Sequence, residues 1–236
     1  MVTREDQVLL SLEQALSARI SSEEVKRWLR DYAIPFHELM AYYRCAMMKV
    51  ETKFRILNEN ISLASDSNHI ESIKTRLKSP MGIIDKMIRY GQPITVNGIE
   101  ESLHDVAGVR VICSFVSDIY LLAEALLAQD DVKLIERKDY IMNPKQSGYR
   151  SLHLIIETPI YLQDKKKYMK VEVQLRTLAM DTWASLEHKI RYKKSHEALS
   201  EEADRELMEC AEICAELDMR MERVMSSSSR MKEEGR

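Results

Sequence analysis

The sequence predicts an α+β fold, a mixed central β-sheet flanked by helices, with long helices toward both ends of the chain. Three observations predict it. Apolar residues recur every three or four positions near both ends, whereas the middle runs in short apolar or alternating β-branched segments. Only 6 Gly and 5 Pro interrupt these patterns over 236 residues. With 45% hydrophobic residues the chain can bury a sizeable core. Residues 1–35 therefore read as an N-terminal helical extension, 36–225 as one domain that includes the C-terminal helix, and 226–236, SSSSRMKEEGR, as a disordered tail.

Each element has a local cause. Phe36, Leu39, Met40, Tyr43, Met47, Val50, Phe54, Leu57 and Ile61 form one stripe of a long amphipathic helix, with Pro35 as the breaker before it. A shorter helix precedes it, with Ser21 and Glu24 spaced as a capping box. Ser79 followed by Pro80 opens another helix, which Gly91 ends. Val106 to Phe115 is apolar and β-branched, Ser117 and Asp118 cap a helix through about Ala128, and Val132 to Tyr140, Ser151 to Glu157 and Tyr168 to Arg176 read as further strands. Side chains alternate along a strand, so Val171, Val173 and Leu175 face one way while Glu172, Gln174 and Arg176 face the other. Thr177 begins a helix through about Tyr192. Ser200 caps the last, whose stripe is Leu207, Ala211, Cys214, Leu217, Met221 and Val224. The terminal stripes suit either core or an oligomer interface, because a modest sheet cannot cover all of them.

Composition excludes several classes. The 35 basic and 38 acidic residues leave a net charge of −3, so the chain as a whole is no polycation for nucleic acid. No apolar run approaches the roughly 20 residues of a membrane helix. The opening MVTREDQVLL carries acidic residues where a signal peptide is basic, so the expected location is the cytoplasm, with no membrane partner. Cys45, Cys113, Cys210 and Cys214 form no CxxC pair. Cys210 and Cys214 stand one helical turn apart, but no nearby His completes a zinc site, and both read as small apolar residues.

Four polar clusters sit among apolar surroundings at strand ends. Arg76 and Lys78 precede the Pro80 helix and Lys86 lies about two turns along it; the three suit phosphate at its N-terminal end, or else form a solvated basic face. Asp105 stands at the mouth of a strand that carries Arg110, where a carboxylate suits Mg²⁺, a cap or a salt bridge. His104 with Asp105 spells the HD dipeptide of metal phosphohydrolases, but the further His and Asp ligands such sites need are missing. The loop through Pro144 and Gly148 brings Lys145, Tyr149, Arg150 and His153 together, and an aromatic face among cations suits a nucleotide; the plainer reading is a hairpin loop with one buried Tyr. Glu172 is a candidate general base beside Gln174 and Arg176, with Asp181, Trp183 and His188 on the helix behind it; a lone strand Glu is otherwise solvated or salt-bridged.

The strings RLKS from Arg76, HDVAGVRVICSF from His104, KDYIMNPKQSGYRSLH from Lys138 and VEVQLRTLAMDTWASLEHKIRYK from Val171 resemble the synthetase domain of the RelA/SpoT family. Order and spacing match over about residues 40–220. With no N-terminal HD hydrolase domain and no room for TGS or ACT domains, the chain is similar to the stand-alone small alarmone synthetases, nearer their RelP branch than their RelQ branch. The resemblance implies a nucleotidyltransferase-like synthetase fold and a Mg²⁺-dependent GTP pyrophosphokinase without hydrolase activity. Such an enzyme moves the β,γ-pyrophosphate of ATP to the 3′-hydroxyl of GDP or GTP, making ppGpp or pppGpp and AMP in the stringent response.

The resemblance also implies roles. Glu172 matches the catalytic base and a second metal ligand, and Asp105 the Mg²⁺ ligand. Arg76 and Arg110 match the pair that sandwiches adenine, with Lys78 and Lys86 as triphosphate lysines. Tyr149 matches the tyrosine that stacks on guanine, with Lys138, Lys145 and His153 near the acceptor phosphates and Gln174 and His188 in the same cleft. Two positions depart from the pattern. Gly82 stands where many relatives carry serine, and Glu136, Arg137, Lys138, Asp139 replaces an RxKD string, which leaves the choice between GDP and GTP open. A homotetramer built through the terminal helices is implied, and RNA is not an expected partner. The competing reading is a catalytically silent nucleotide sensor or RNA-binding regulator, which would keep Tyr149 and the cations without needing both Asp105 and Glu172.

Overall fold

The computed structural model describes residues 29–65, 68–163, 165–193 and 200–234. The expected capping box at Ser21 and Glu24 lies outside them. In chain order the elements are α1 (Ile34–Ser65), β1 (Ile70–Leu77), α2 (Pro80–Arg89), α3 (Val96–Ser102), β2 (Ala107–Cys113), α4 (Val116–Leu127), β3 (Lys133–Asp139), β4 (Leu152–Leu162), β5 (Lys165–Thr177), α5 (Leu178–Lys193) and α6 (Glu201–Glu234). A π-helical stretch, Leu29–Ala33, leads into α1. No helix among the described residues is long and apolar enough to cross a membrane.

The strands form one mixed sheet in the order β1-β2-β5-β4-β3. β2 and β5 run parallel, and every other neighbouring pair is antiparallel. Pairing between β3 and β4 stops at Glu157, so the last residues of β4 have a partner on one side only. That is where Pro159 sits, since a proline cannot donate to a second neighbour. Its carbonyl instead accepts a hydrogen bond from Lys49 of α1 at 2.8 Å.

One face of the sheet is apolar. Val109 and Val111, Val171, Val173 and Leu175, and Leu152, Leu154 and Ile156 are buried on it. α4 packs on β2 and β5, and its Ile119, Leu122 and Leu126 are fully buried. Asp118 caps α4 from within by accepting from the Phe115 backbone N–H, while Glu222 of α6 accepts from the Val116 N–H, so two carboxylates meet the positive end of that helix. α5 leaves β5 without a loop, started by Thr177, whose hydroxyl accepts from the Met180 N–H.

The chain divides into two compact units, Met1–Tyr42 with Pro80–Leu103, and Tyr43–Ser79 with His104–Arg236. In the first, α2 buries Ile83 and Met87 and ends just before Gly91, which takes the left-handed conformation (φ 63°). α3 is an element the apolar periodicity did not announce; Thr95 caps it, accepting from the Gly98 N–H at 3.0 Å. A Cβ at Gly98 would lie 2.4 Å from the Pro93 carbonyl, so no side chain fits there.

Several boundaries differ from the sequence reading. Pro35 lies inside the first turn of α1 rather than ahead of it, directly after the π-helical stretch. β1 was not expected at all: its burial is that of an edge strand, with Glu71, Lys74 and Arg76 exposed, and so it lacks an apolar run. α6 continues past Ser226 to Glu234, where the sequence reading places a disordered tail. Ser226 and Ser227 donate back to the carbonyls of Glu222 and Arg223, a local bond that lets serine sit within a helix.

Candidate active site

The face of the sheet opposite the valines carries the polar side chains, and strand register decides which of them are neighbours. One row crosses all five strands: Lys74, Arg110, Gln174, His153 and Lys138. The next row holds Arg76, Gly108, Glu172, Ile155 and Glu136. Gly108, having no side chain, separates Arg76 from Glu172 in that row. The register thus gathers residues that lie far apart in the chain onto one surface.

Within it, five side chains close a circuit. Arg176 Nη2 donates to the Tyr149 hydroxyl at 2.5 Å and to Gln174 Oε1 at 3.0 Å. The hydroxyl lies 2.8 Å from His153 Nε2, and His153 Nδ1 stands 3.4 Å from Glu172 Oε1. Gln174 Nε2 donates to the other carboxylate oxygen at 3.1 Å. One set of protons satisfies the whole circuit. Tyr149 accepts from Arg176 and donates to Nε2, which leaves the imidazole proton on Nδ1, facing Glu172. Burial pushes the Glu172 carboxyl up, but the hydrogen bond from His153, helped by that from Gln174, outweighs it and holds the group below the usual carboxylate range. The Asp105 charge pushes the other way.

Asp105 lies just before β2, and its Oδ2 accepts from Lys78 Nζ at 2.8 Å. The Lys78 backbone N–H is fixed to the Val106 carbonyl, so the end of β1 and the entrance to β2 are tied by backbone and side chain together. Arg76 is exposed on the edge strand. Arg110 reaches Gln174 Oε1 and Asp181 Oδ1, each at 3.4 Å. Burial and the Arg176 charge draw its guanidinium below the usual arginine value, while Asp181 pulls it back up.

The loop between β3 and β4 delivers Tyr149. Asp139 opens it by accepting from the backbone N–H groups of Ile141 and Met142, and Arg150 holds the Ile141 carbonyl. Gly148 adopts φ 86°. A Cβ there would lie 2.5 Å from Ala211 Cβ of α6, so the last helix packs directly on the loop. Lys145 Nζ sits 4.6 Å from the Tyr140 ring centroid and 4.9 Å from that of Tyr149. Lys138, half exposed beside His153, pairs with Glu136 at 2.9 Å.

The structure therefore gathers Asp105, Lys78, Arg110, Glu172, Gln174, Tyr149, His153, Lys138 and Lys145 on one polar face and its rim. Lys86 belongs to the first unit, with its Nζ 5.4 Å from the Tyr90 ring centroid. His188 lies two turns beyond Asp181 on α5 and is exposed. Trp183 turns the other way, donating from Nε1 to the Leu207 carbonyl of α6, because residues two apart on a helix point to different sides. Lys74 carries a contact here that the sequence reading did not name, and Arg176 and Asp181, named there only as neighbours of Glu172, carry contacts of their own. The alternation of β5 already put Arg176 on this face; Lys74 had no signal, because β1 had none.

The donor set fits Mg²⁺. Asp105 and Glu172 are both partly shielded and of the hard oxygen type that Mg²⁺ takes in ones and twos beside substrate phosphates.

Comparison with known proteins agrees with this geometry. Residues 75–197 match the family described as the region found in RelA / SpoT proteins. GTP pyrophosphokinase YwaC of Bacillus subtilis is 44% identical over 199 residues, 84% of this chain and 92% of that protein. The crystal structure of small alarmone synthetase 2 from Bacillus subtilis superposes with a TM-score of 0.74 at 42% identity, covering 81% of this chain and 98% of the other. That of small alarmone synthetase 1 from the same organism, bound to its product pppGpp, gives 0.73 at 32% identity, covering 81% and 97%.

Proposed function

Since the chain belongs to the RelA/SpoT family, we propose that it is a GTP pyrophosphokinase that makes ppGpp or pppGpp from ATP and GDP or GTP. The observation that carries this reading is the Glu172 carboxylate, which accepts from Gln174 Nε2 and faces His153 Nδ1 inside a face lined with cations and one aromatic platform.

In this reaction the 3′-oxygen of the acceptor ribose attacks the β-phosphorus of ATP, the bond from that phosphorus to the α,β-bridging oxygen breaks, and AMP departs. Glu172 takes the hydroxyl proton as the new P–O bond forms. His153, with Nδ1 turned toward Glu172, holds the carboxylate in place and is itself anchored by Tyr149. Tyr149 offers its ring to guanine, with Lys145 and Lys138 toward the acceptor phosphates. Arg76 and Arg110, on adjacent strands of the same face, suit the two sides of adenine, and Lys78 suits the triphosphate as a point charge. Mg²⁺ held by Asp105 and Glu172 would neutralise charge on the phosphates as AMP leaves.

A homotetramer is proposed as the working assembly. The stripe on α6 supports it: Ala211 is buried, but Leu217, Met221 and Val224, farther along the same face, are at least half exposed. The cytoplasm, where ATP and guanine nucleotides are both abundant, is proposed as its location.

The test incubates purified protein with γ-labelled ATP, Mg²⁺ and either GDP or GTP and resolves the products. Labelled ppGpp or pppGpp with matching AMP is expected, and the two yields rank the acceptors. Folded protein that binds nucleotide and transfers nothing overturns the reading in favour of a silent sensor.

A further inference from the structure

One carboxylate meets cations from three strands. Asp181, in the first turn of α5, accepts from Lys74 Nζ of β1 through Oδ2 at 2.8 Å. Its Oδ1 faces Arg110 Nη1 of β2 at 3.4 Å and Arg176 Nη1 of β5 at 3.3 Å. The carboxylate is largely shielded, and Arg176 is buried. An acid in a first helical turn ordinarily serves the helix end, for which no side-chain partner is required. Here it sits where three like charges would otherwise repel, and two of them share a single oxygen.

The two arginines lead in different directions. Arg110 belongs to the side of the site assigned to adenine. Arg176 continues to the Tyr149 hydroxyl and to Gln174, with its guanidinium carbon 5.0 Å from the Tyr149 ring centroid. Asp181 thus touches the donor side directly and the acceptor platform through one intervening residue. Arginine makes directed contacts through a planar fork, so a shared acceptor oxygen sets the orientation of both guanidinium planes as well as their spacing.

Resting on the activity proposed above, we propose that Asp181 is a positioning residue that holds Arg110 and Arg176 in register and thereby sets the geometry of both nucleobase platforms.

The test is a double-mutant cycle read by binding. Calorimetry measures the affinity of wild type, D181N, R110Q and the double variant for a non-hydrolysable ATP analogue with Mg²⁺ and no acceptor, and thermal melts establish that each is folded. D181N is expected to weaken the analogue about tenfold in the wild-type background and less than twofold in R110Q, because its effect acts through that arginine. In turnover assays of D181N, KM for ATP and for the guanine nucleotide both rise about tenfold, with a smaller drop in kcat. Equal weakening in the two backgrounds, or unchanged affinity, overturns the proposal. Should D181N not fold, D181E, which keeps the charge but moves it by one methylene, takes its place in the cycle, and the same two results support or overturn the proposal. Wild-type protein that binds the analogue but transfers no pyrophosphate overturns the activity, and the cycle still decides the role of Asp181; wild-type protein that binds no analogue overturns both.

Discussion

On β5, Val171, Val173 and Leu175 are fully buried on the apolar side of the sheet, while Glu172 and Gln174, their immediate neighbours in the chain, stand in the polar circuit with His153, Tyr149 and Arg176. The same strand thus carries the core on one side and the candidate chemistry on the other. The separation has an energetic consequence. Removing a buried methyl group from the apolar face changes how well the sheet holds together, whereas removing a charge from the polar face changes what it can do to a substrate.

Glu172→Gln is the sharpest way to test that division. It keeps the shape of the side chain and removes the base, so pyrophosphoryl transfer should fall by about 10²–10⁴-fold. The melting temperature should hardly move. Labelled-ATP assays beside thermal melts read both quantities, and near wild-type turnover would remove Glu172 from the reaction.

Leu154→Ala makes the opposite change. Leu154 is fully buried on β4 opposite Val173, and truncating it should destabilise the protein by about 2–5 kcal/mol. Activity per folded molecule should stay close to wild type. A large fall in kcat without loss of stability would show that the two faces are not independent.

Gly148→Ala is expected to blur the division. The new methyl group meets Ala211 and requires φ 86°, so about 1–3 kcal/mol of stability should be lost. The same displacement moves Tyr149, so KM for the guanine nucleotide should rise while KM for ATP changes less. Urea melts together with substrate titrations decide it; a stability loss with both KM values unchanged would mean that α6 does not set the loop.

The smallest effect lies far from the polar face. Asp131 accepts from Lys49 and Lys53 of α1 at 2.8 and 2.5 Å. Burial raises its carboxyl pKa, but the two ammonium groups outweigh this and leave it below the usual value. A depressed folded pKa contributes stability above the unfolded pKa of about 4, and the contribution is lost as pH falls through the folded value. The pair is about a third exposed, so Asp131→Asn should cost less than about 1 kcal/mol at pH 7. The gap between denaturant melts of the two proteins should shrink as pH falls below about 4; a gap that stays constant would show that charge is not the cause.

Much of this was legible in the residues. The stripe of α1, the alternation of β5, the loop between β3 and β4 and the Ser200 cap of α6, which accepts from the Ala203 N–H, all form where local periodicity and turn chemistry place them. What was not legible has a common cause. β1 is an exposed edge with charged side chains, and α3 is two turns closed by a cap, so neither buries enough apolar surface to write a periodic pattern. The tail beyond Ser226 reads as polar low complexity, yet serine can remain helical by bonding back to its own helix.

The sequence by itself determined the two faces of the sheet, because alternation along a strand is a property of the backbone that needs no partner. It also determined that a carboxylate, an aromatic ring and several cations would share the polar face. Only the tertiary structure decided which of them touch. Lys74 and Asp181 are 107 residues apart, and Arg110 and Asp181 are 71 apart. Their meeting depends on the register of β1, β2 and β5 and on the direction in which α5 leaves the sheet. Register is set by non-local strand pairing, which no local pattern in the chain records.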